Sequence, residues 1–501
     1  MKVIGHIFHA IWWAAVILTP LLAVWLASSL AVFLNGPLWV AILSGALLFP
    51  GLPLIWEAWA TRRFNRKQVE REAAGKKVKT AWFGVFDRLI FRTLFINILA
   101  LVVLVGSFPK QSFSALSTRG DWFLDHASGH LSENAIAQTR GVVFGVADAL
   151  EWVHNATRDN PYETSEDTPN PDVDPEPGPN PNEVKVKVKV PVPTPTPTPD
   201  GPDPPEPTKP VYKETAIWPQ AAELHPVVAN MPASAETSPE AVARYIAERE
   251  TDPYMRVKAL HDWVADRVRY DLNAKDRGQT AEAAFETRAS VCAGYSKLFA
   301  QLGSYTGDEI VYVVGVSRDI NGEVQGVGHA WNAVKIEGAW YLVDVTWNAG
   351  YYENGQFKKV YRTDYLFTPP QYFNVSHFPD NPEWQLVPEP ISRGEWMRRP
   401  MISPAFYAKG LSLISPTRSQ SSVDVSDTFE VILGNAKKLS ILANIEPKGG
   451  GKSYDCIVKG KRTSRTRISC KVPASGTWHI KVFAGEGVTL PYVGQVEVVA
   501  R

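Results

Sequence analysis

Gly328 to Asn348 reads GHAWNAVKIEGAWYLVDVTWN, and this stretch decides the fold of the middle of the chain. Two apolar runs, Val327 to Ile336 and Ala339 to Asn348, flank Glu337-Gly338, a pair suited to a tight hairpin turn. The reading is two antiparallel strands with Ile336 paired to Ala339. Carried along the ladder, that register sets Trp331 opposite Asp344 and His329 opposite Thr346, so His329 and Asp344 share one face as diagonal neighbours. A carboxylate placed there can hold an imidazole. A slip of one residue would send the two to opposite faces, so the turn fixes the chemistry along with the register.

Working outward, Ile310 to Val316 is a third strand. Before it a helix opens near Ser290, with Tyr295, Leu298, Phe299 and Leu302 on its buried face and Cys292 in its first turn. Unpaired backbone N–H groups and the helix dipole favour an anion at that point. Ala293 and Gly294 are small enough to leave room for a substrate backbone. An earlier helix starts at Asp252-Pro253 and runs through Tyr270, with Met255, Ala259, Leu260, Trp263, Val264 and Val268 at three- and four-residue intervals. Alone, Cys292 would read as a small buried hydrophobe. With His329 and Asp344 it supplies the parts for nucleophilic acyl transfer: the imidazole takes the thiol proton, the carboxylate fixes the ring tautomer, and backbone N–H groups receive the oxyanion.

Three blocks in this order, VCAGYSKLF (Val291 to Phe299), GHAWNAV (Gly328 to Val334) and WYLVDVTWN (Trp340 to Asn348), resemble the transglutaminase-like superfamily. The later FNVSHFP (Phe373 to Pro379) and WQL (Trp384 to Leu386) are similar to its branch of kyphoscoliosis peptidase and cytokinesis proteins, and the resemblance spans residues 250 to 410. It implies a papain-like α+β core with Cys292 as nucleophile, His329 as base and Asp344 as orienter. Activities in the superfamily include transglutaminases, peptidases and deglycosylating amidases, all passing through a thioester. Some members of the branch have lost the cysteine and act as scaffolds. Gln279, upstream of Cys292, is a candidate second oxyanion donor. Trp263, Trp331, Trp340 and Trp347 could form a substrate tunnel, but core packing is the expectation for most of them.

The first part of the chain is of a different kind. No Asp, Glu, Lys or Arg occurs in the 54 residues from Val3 to Trp56, whereas one membrane crossing needs only ~20 apolar residues. Asn35-Gly36-Pro37 divides the run into spans at Ile7 to Leu34 and Leu38 to Trp59; Leu89 to Ser107 is a third, with Arg92 near its start reaching the headgroups. Arg62, Arg63, Arg66, Lys67, Arg71, Lys76, Lys77 and Lys79 lie between the second and third spans, which places that loop and the N-terminus in the cytoplasm and everything after Ser107 outside.

Residues 1–107 are thus expected to be a three-span anchor and 108–160 a membrane-proximal segment, where Val142 to Val153 suggests a helix. Residues 161–210 hold 17 of the 39 prolines and form an extended linker. The catalytic domain then occupies 211–400. In 401–501, runs with two-residue period indicate an all-β sandwich: Val423 to Ile432, Leu439 to Ile445, Tyr454 to Val458, Ile468 to Val472, Trp478 to Phe483 and Val493 to Val499. A symmetric hairpin there makes Cys456 and Cys470 direct opposites, a disulfide in an oxidising compartment. Gly449 to Ser453, GGGKS, imitates a phosphate loop, but Glu446 stands where that motif needs a glycine, and no helix pattern follows.

Composition narrows the function. Lys+Arg and Asp+Glu are balanced at 52 each, so there is no basic field for nucleic acid. Three cysteines without a Cys/His pair at zinc spacing imply no structural metal, and no cofactor is expected. The expected partners are the lipid bilayer and a protein or peptide substrate, with the cell envelope as one source. The main reading is a membrane-anchored extracytoplasmic thiol enzyme attacking amide bonds, as peptidase or transglutaminase; the other is a non-catalytic envelope scaffold using the same cleft. The intact set of three favours the enzyme.

Overall fold

The computed structural model describes residues 2–34, 36–77, 82–127, 132–155, 209–276, 279–353, 355–419 and 421–500. All but the last two residues of the expected Pro-rich linker, and Lys79 of the basic stretch, lie outside the described residues.

Three N-terminal helices are long and apolar enough to cross a membrane: His6–Phe33 within α1 (Lys2–Phe33), Leu38–Ala73, and α4 (Val85–Ser107). The second is split into α2 (Leu38–Ala46) and α3 (Leu52–Ala73) at Pro50, where Phe49 adopts extended angles. The Leu52 N–H bonds to Leu47 O across this kink, and Asn97 of α4 donates Nδ2–H to Leu48 O at 3.2 Å, giving that carbonyl a partner. Two expectations are corrected. Arg62, Arg63, Arg66, Lys67 and Arg71 are not in a loop, because α3 continues past the apolar stretch to Ala73. Arg92 does not reach away; it pairs with Glu57, as does Arg88 at 2.8 Å, since a carboxylate among apolar helices takes whatever cations adjoin it.

The segment after Ser107 folds as α5 (Pro109–Arg119), α6 (Trp122–Ala127) and α7 (Glu133–Asn155), so the helix expected at Val142 to Val153 is part of a longer one. These helices meet the later domains. Ser392 Oγ donates to Asp148 Oδ2 at 2.6 Å, Arg398 to Ser117 O at 2.9 Å, and the buried Asp121 accepts from Arg418 at 2.7 Å and Arg140 at 2.6 Å.

The central domain packs helices on an antiparallel sheet. Helix α8 (Pro253–Arg267) starts where Asp252 Oδ1 accepts the Met255 N–H at 2.8 Å and proline occupies the first turn. It stops short of Tyr270, because Arg269–Tyr270 pairs instead with Ala289–Ser290 as a two-residue ladder. Helix α9 (Ala281–Thr287) leads into α10 (Cys292–Thr306), which ends at Gly307 with φ 77°. The sheet runs β4-β3-β2-β1-β5, made of β1 (Glu309–Arg318), β2 (Val324–Ile336), β3 (Ala339–Val343), β4 (Leu366–Thr368) and β5 (His377–Pro379). Asn332 ties α10 to this sheet by donating to Ser296 O at 2.9 Å and Val311 O at 3.2 Å. Trp263, Leu260, Tyr295, Phe299 and Leu302 form the core beneath the helices.

The hairpin register is the one read from the turn: Ile336 pairs with Ala339 and Asn332 with Val343. The second strand, however, ends at Val343. Asp344 caps α11 (Val345–Ala349), its Oδ1 accepting the Trp347 N–H at 3.0 Å, so the expected Trp331–Asp344 and His329–Thr346 pairs do not form.

Residues 411–500 form two sheets around a shared core that includes Val431, Leu433, Ile441, Ile445, Ile468, Ile480 and Val498. One sheet is ordered β6-β8-β12-β11 and the other β7-β14-β13-β9-β10, from β6 (Leu411–Ser415), β7 (Ser421–Val423), β8 (Thr428–Asn435), β9 (Ser440–Pro447), β10 (Tyr454–Asp455), β11 (Ile457–Lys459), β12 (Arg465–Lys471), β13 (Gly476–Gly485) and β14 (Tyr492–Ala500). Two runs expected as single strands are broken. Val423 to Ile432 divides around Ser426, whose φ is 75°, and Tyr454 to Val458 divides at Cys456, where the chain crosses from one sheet to the other. The GGGKS stretch lies in the loop between β9 and β10, with Gly449, Gly450 and Gly451 at positive φ.

At that crossing Cys456 donates its N–H to Ala443 O at 3.0 Å and is joined to Cys470 in a disulfide. The bridge closes a 14-residue separation and staples the two sheets, so removing it by replacing both cysteines with alanine should cost ~3 kcal/mol. Denaturant midpoints of the two proteins at equal slope measure this. Identical midpoints would show that the bridge carries no stability.

Candidate active site

Cys292 is the first residue of α10, preceded by Val291, which provides no side-chain cap. The N–H groups of the first turn therefore have no carbonyl one turn earlier to bond, which makes this a place for a negative oxygen or sulfur. Gly294 corrects one expectation: a Cβ there would lie 2.0 Å from Ser290 Oγ and 3.2 Å from Ala284 Cβ, so its missing side chain makes room for Ser290 and Ala284 and not for a substrate. Cys292 is free and only 2% exposed.

His329, on β2, donates Nε2–H to Asp344 Oδ2 at 2.7 Å, and its ring lies close enough to Cys292 for the thiol to raise its affinity for a proton. With Nε2 committed to the carboxylate, Nδ1 is the ring nitrogen left to take the thiol proton. Burial lowers the affinity of His329 for a proton, but the charge and hydrogen bond of Asp344, together with Cys292, outweigh it and raise the imidazole to about 10. Burial likewise pushes Asp344 up, yet His329 and His377 hold it well below the usual carboxylate range.

His377, on the edge strand β5, is the residue that the sequence reading passed over. Its Nε2 lies 3.0 Å from the same Asp344 Oδ2, and its Nδ1 lies 2.9 Å from Ser376 Oγ. Burial pushes it down to about 4, further helped by the charge on His329, so it is neutral. The two histidines come together because β1 runs between their strands, with Gly315 opposite both His329 and Pro379. A Cβ on Gly315 would meet Phe378 O at 2.2 Å and the Trp331 ring at 2.6 Å. The signal in the sequence was the histidine inside the FNVSHFP block.

The donor atoms of His329, Asp344 and His377 lie within 4.8 Å of one another, a grouping that could hold a metal ion. Two N–H donors on one carboxylate oxygen account for the same arrangement. Gln279 is half-buried, one residue before Thr280, whose Oγ1 accepts from the Ala283 N–H to start α9. Trp263 and Trp331 are wholly buried and Trp340 nearly so, while Trp347 is partly exposed with its ring 5.5 Å from that of His329.

A second polar cluster supports the site from behind. Asp262 of α8, fully buried, accepts from the His225 N–H at 2.7 Å, from His261 Nδ1 at 2.9 Å, and from Lys258 and Tyr361. His261 Nε2 in turn meets Asn348 Nδ2 at 3.0 Å, and Asn348 receives the Tyr365 N–H at 3.1 Å on its Oδ1. Asn348 closes the helical turn that Asp344 opens, its N–H donating to Asp344 O at 3.3 Å. The position of Asp344 thus depends on α8.

Residues 240–345 match the family model described as Transglutaminase-like superfamily, and the chain therefore carries a transglutaminase-like domain. The match takes in Cys292, His329 and Asp344 and stops before His377. Among curated proteins, kyphoscoliosis peptidase of Homo sapiens is 31% identical over 269 residues, covering 49% of this chain and 38% of that protein. Hillarin of Drosophila melanogaster is 26% identical over 191 residues, covering 34% and 23%. Cytokinesis protein 3 of Schizosaccharomyces pombe is 22% identical over 208 residues, covering 36% and 22%. This chain accordingly spans well under half the length of the relatives it matches.

Proposed function

We propose that the protein is a membrane-anchored thiol enzyme that attacks amide bonds outside the cytoplasm, as a peptidase or a transglutaminase on a protein or peptide substrate. The observation that carries this reading is the His329 Nε2–Asp344 Oδ2 bond at 2.7 Å, with Cys292 beside that ring as the first residue of α10. His329 Nδ1 accepts the thiol proton and Sγ forms a bond to the amide carbon. The carbonyl oxygen becomes an oxyanion facing the Cys292 N–H, with Gln279 as the second donor. The imidazolium then protonates the leaving amine, and water or an acceptor amine attacks the thioester and restores the thiol. The test is turnover of generic peptides and incorporation of amines into glutamine-containing proteins, with capture of the thioester partner to name the substrate. Cys292→Ala should abolish whichever activity the wild type has; retained activity would refute the thiol chemistry.

The extracytoplasmic side rests on the cations after Trp59, which keep the end of α3 in the cytoplasm. The disulfide at Cys456 and Cys470 agrees with an oxidising compartment. Protease added outside intact cells or spheroplasts should then cut within 161–210 and release a soluble fragment. A cut seen only after permeabilisation would reverse the orientation. We read the two C-terminal sheets as one β-sandwich that positions the substrate or the catalytic domain.

A scaffold that binds a peptide in the same cleft is the second reading, favoured by the near-complete burial of Cys292. Alkylation separates the two, because a catalytic thiol reacts faster near neutral pH than an isolated one.

A further inference from the structure

We infer that His377 is a positioning residue for the Cys292 site: as a neutral Nε2–H donor, with its tautomer set by Ser376, it holds Asp344 Oδ2 against His329 Nε2. The inference rests on the thiol reading above and goes beyond its three residues.

The hydrogen-bond inventory leads to it. Asp344 is fully buried and has two oxygens to satisfy. Oδ1 accepts the Trp347 N–H at 3.0 Å, while Oδ2 accepts from His329 at 2.7 Å and His377 at 3.0 Å. Without His377 the carboxylate keeps one fixed donor and one mobile one, and it can swing about the Trp347 bond. With His377 the Oδ2 position is set by two rings from separate strands. The second ring is itself held. Tyr365 OH lies 3.2 Å from Ser376 Oγ, and Ser376 Oγ lies 2.9 Å from His377 Nδ1. Since Nε2 must donate to a carboxylate, Nδ1 carries no proton and accepts from the Ser376 hydroxyl, which in turn accepts from Tyr365.

The environment keeps His377 uncharged. Its ring is enclosed by Phe373 at 4.2 Å, Trp347 at 4.6 Å, Trp331 at 5.1 Å and Tyr365 at 5.3 Å between centroids. The charged or titratable groups facing it are Asp344, His329 and Tyr365; Tyr365 is held well above its ordinary range by burial and therefore remains a neutral donor. A second cation beside His329 would weaken the hold of Asp344 on the first.

The experiment measures alkylation of Cys292 by iodoacetamide across pH, read by mass spectrometry at that residue, with full-length protein in detergent. His377→Leu removes the donor, His377→Gln keeps an N–H near the Nε2 position, and Ser376→Ala frees the tautomer. His377→Leu should lower the rate near neutral pH by roughly ten- to a hundredfold, the range for a hydrogen bond to a charged group, and move the pH dependence of alkylation toward that of a lone thiol as His329 loses its fixed partner. His377→Gln should recover most of both, and Ser376→Ala should fall between. Thermal unfolding confirms that each variant is folded.

A wild-type profile for folded His377→Leu would overturn the inference. So would equal losses in His377→Leu and His377→Gln without a change in the pH dependence, which is the mark of packing alone. Failure of the thiol reading looks different: the wild-type rate would follow a lone thiol that His329→Ala leaves unchanged, and the inference would fall with it.

Discussion

Replacing Asp344 by asparagine should leave a folded protein whose turnover is lower by up to ~10⁴-fold, the loss known for a misdirected imidazole in the serine triad. The hydrogen bonds explain why so isosteric a change has so large an effect. Asp344 accepts at both oxygens, from Trp347 on one and from two histidines on the other. An amide has one acceptor and one donor end. If its oxygen faces the histidines, its NH2 opposes the Trp347 N–H. If it turns over, His329 Nε2 must become an acceptor, the ring proton moves to Nδ1, and the atom facing Cys292 can no longer take the thiol proton.

The same substitution changes the pH profile. His329 is held at about 10 mainly by Asp344 against burial, so its imidazolium and the stability it contributes are fully present below the unfolded value near ~6.5 and are lost as pH rises through about 10. Activity of the wild type should therefore fall on the alkaline side near that value. In Asp344→Asn the limb should shift down toward the ordinary imidazole range, and an unmoved limb would mean that the carboxylate does not govern His329.

Asp262→Ala should destabilise the central domain by about 3 to 5 kcal/mol, the range for breaking a buried ion pair from one side. Lys258 and Asp262 are one helical turn apart and both buried, and removal of the carboxylate strands the ammonium together with the His225 N–H and His261. On a domain of this size that is a fall of roughly 10 °C in Tm. Lys258→Met in the same background should recover part of the loss, since the unpaired charge is gone. In acid the native protein should weaken as well: burial opposes ionisation of Asp262, but His261 and Lys258 lower it overall, so its contribution is complete above the unfolded carboxylate value of ~4 and is lost as pH falls below it. No change in Tm on Asp262→Ala would show that the cluster is solvated.

The hairpin and the helix of Cys292 were legible because each is set locally. Glu337-Gly338 fixes the turn, and Ile336 and Ala339 pair as read. The end of the second strand was not legible in the same way. Apolar residues continue through Val345 and Trp347, but the Asp344 side chain takes a backbone N–H and turns the chain into α11, and that competition is invisible to an alternation pattern. The result still brings Asp344 to His329, by a cap and not by a diagonal pair. His377 could not be found by periodicity because it arrives on an edge strand 33 residues later in the chain than Asp344. Gly294 was misread for a related reason, since the atom occupying its space belongs to Ser290, one helical turn earlier. In the N-terminal region the length and apolarity of three helices were plain. The pairing of Glu57 with Arg88 and Arg92 required knowing which helices adjoin.

The central claim is that His329 activates Cys292, and the most direct measurement is the alkylation rate of Cys292 near neutral pH in the wild type and in His329→Ala, each referred to the same cysteine in denatured protein. Burial slows access in the folded proteins, and truncating the neighbouring ring in His329→Ala opens access further, so a slower variant reports the lost base and not lost access. The wild type should react faster than the denatured reference and lose that advantage in His329→Ala. Equal rates in the two folded proteins, no faster than the reference, would contradict the account and leave Cys292 a structural thiol.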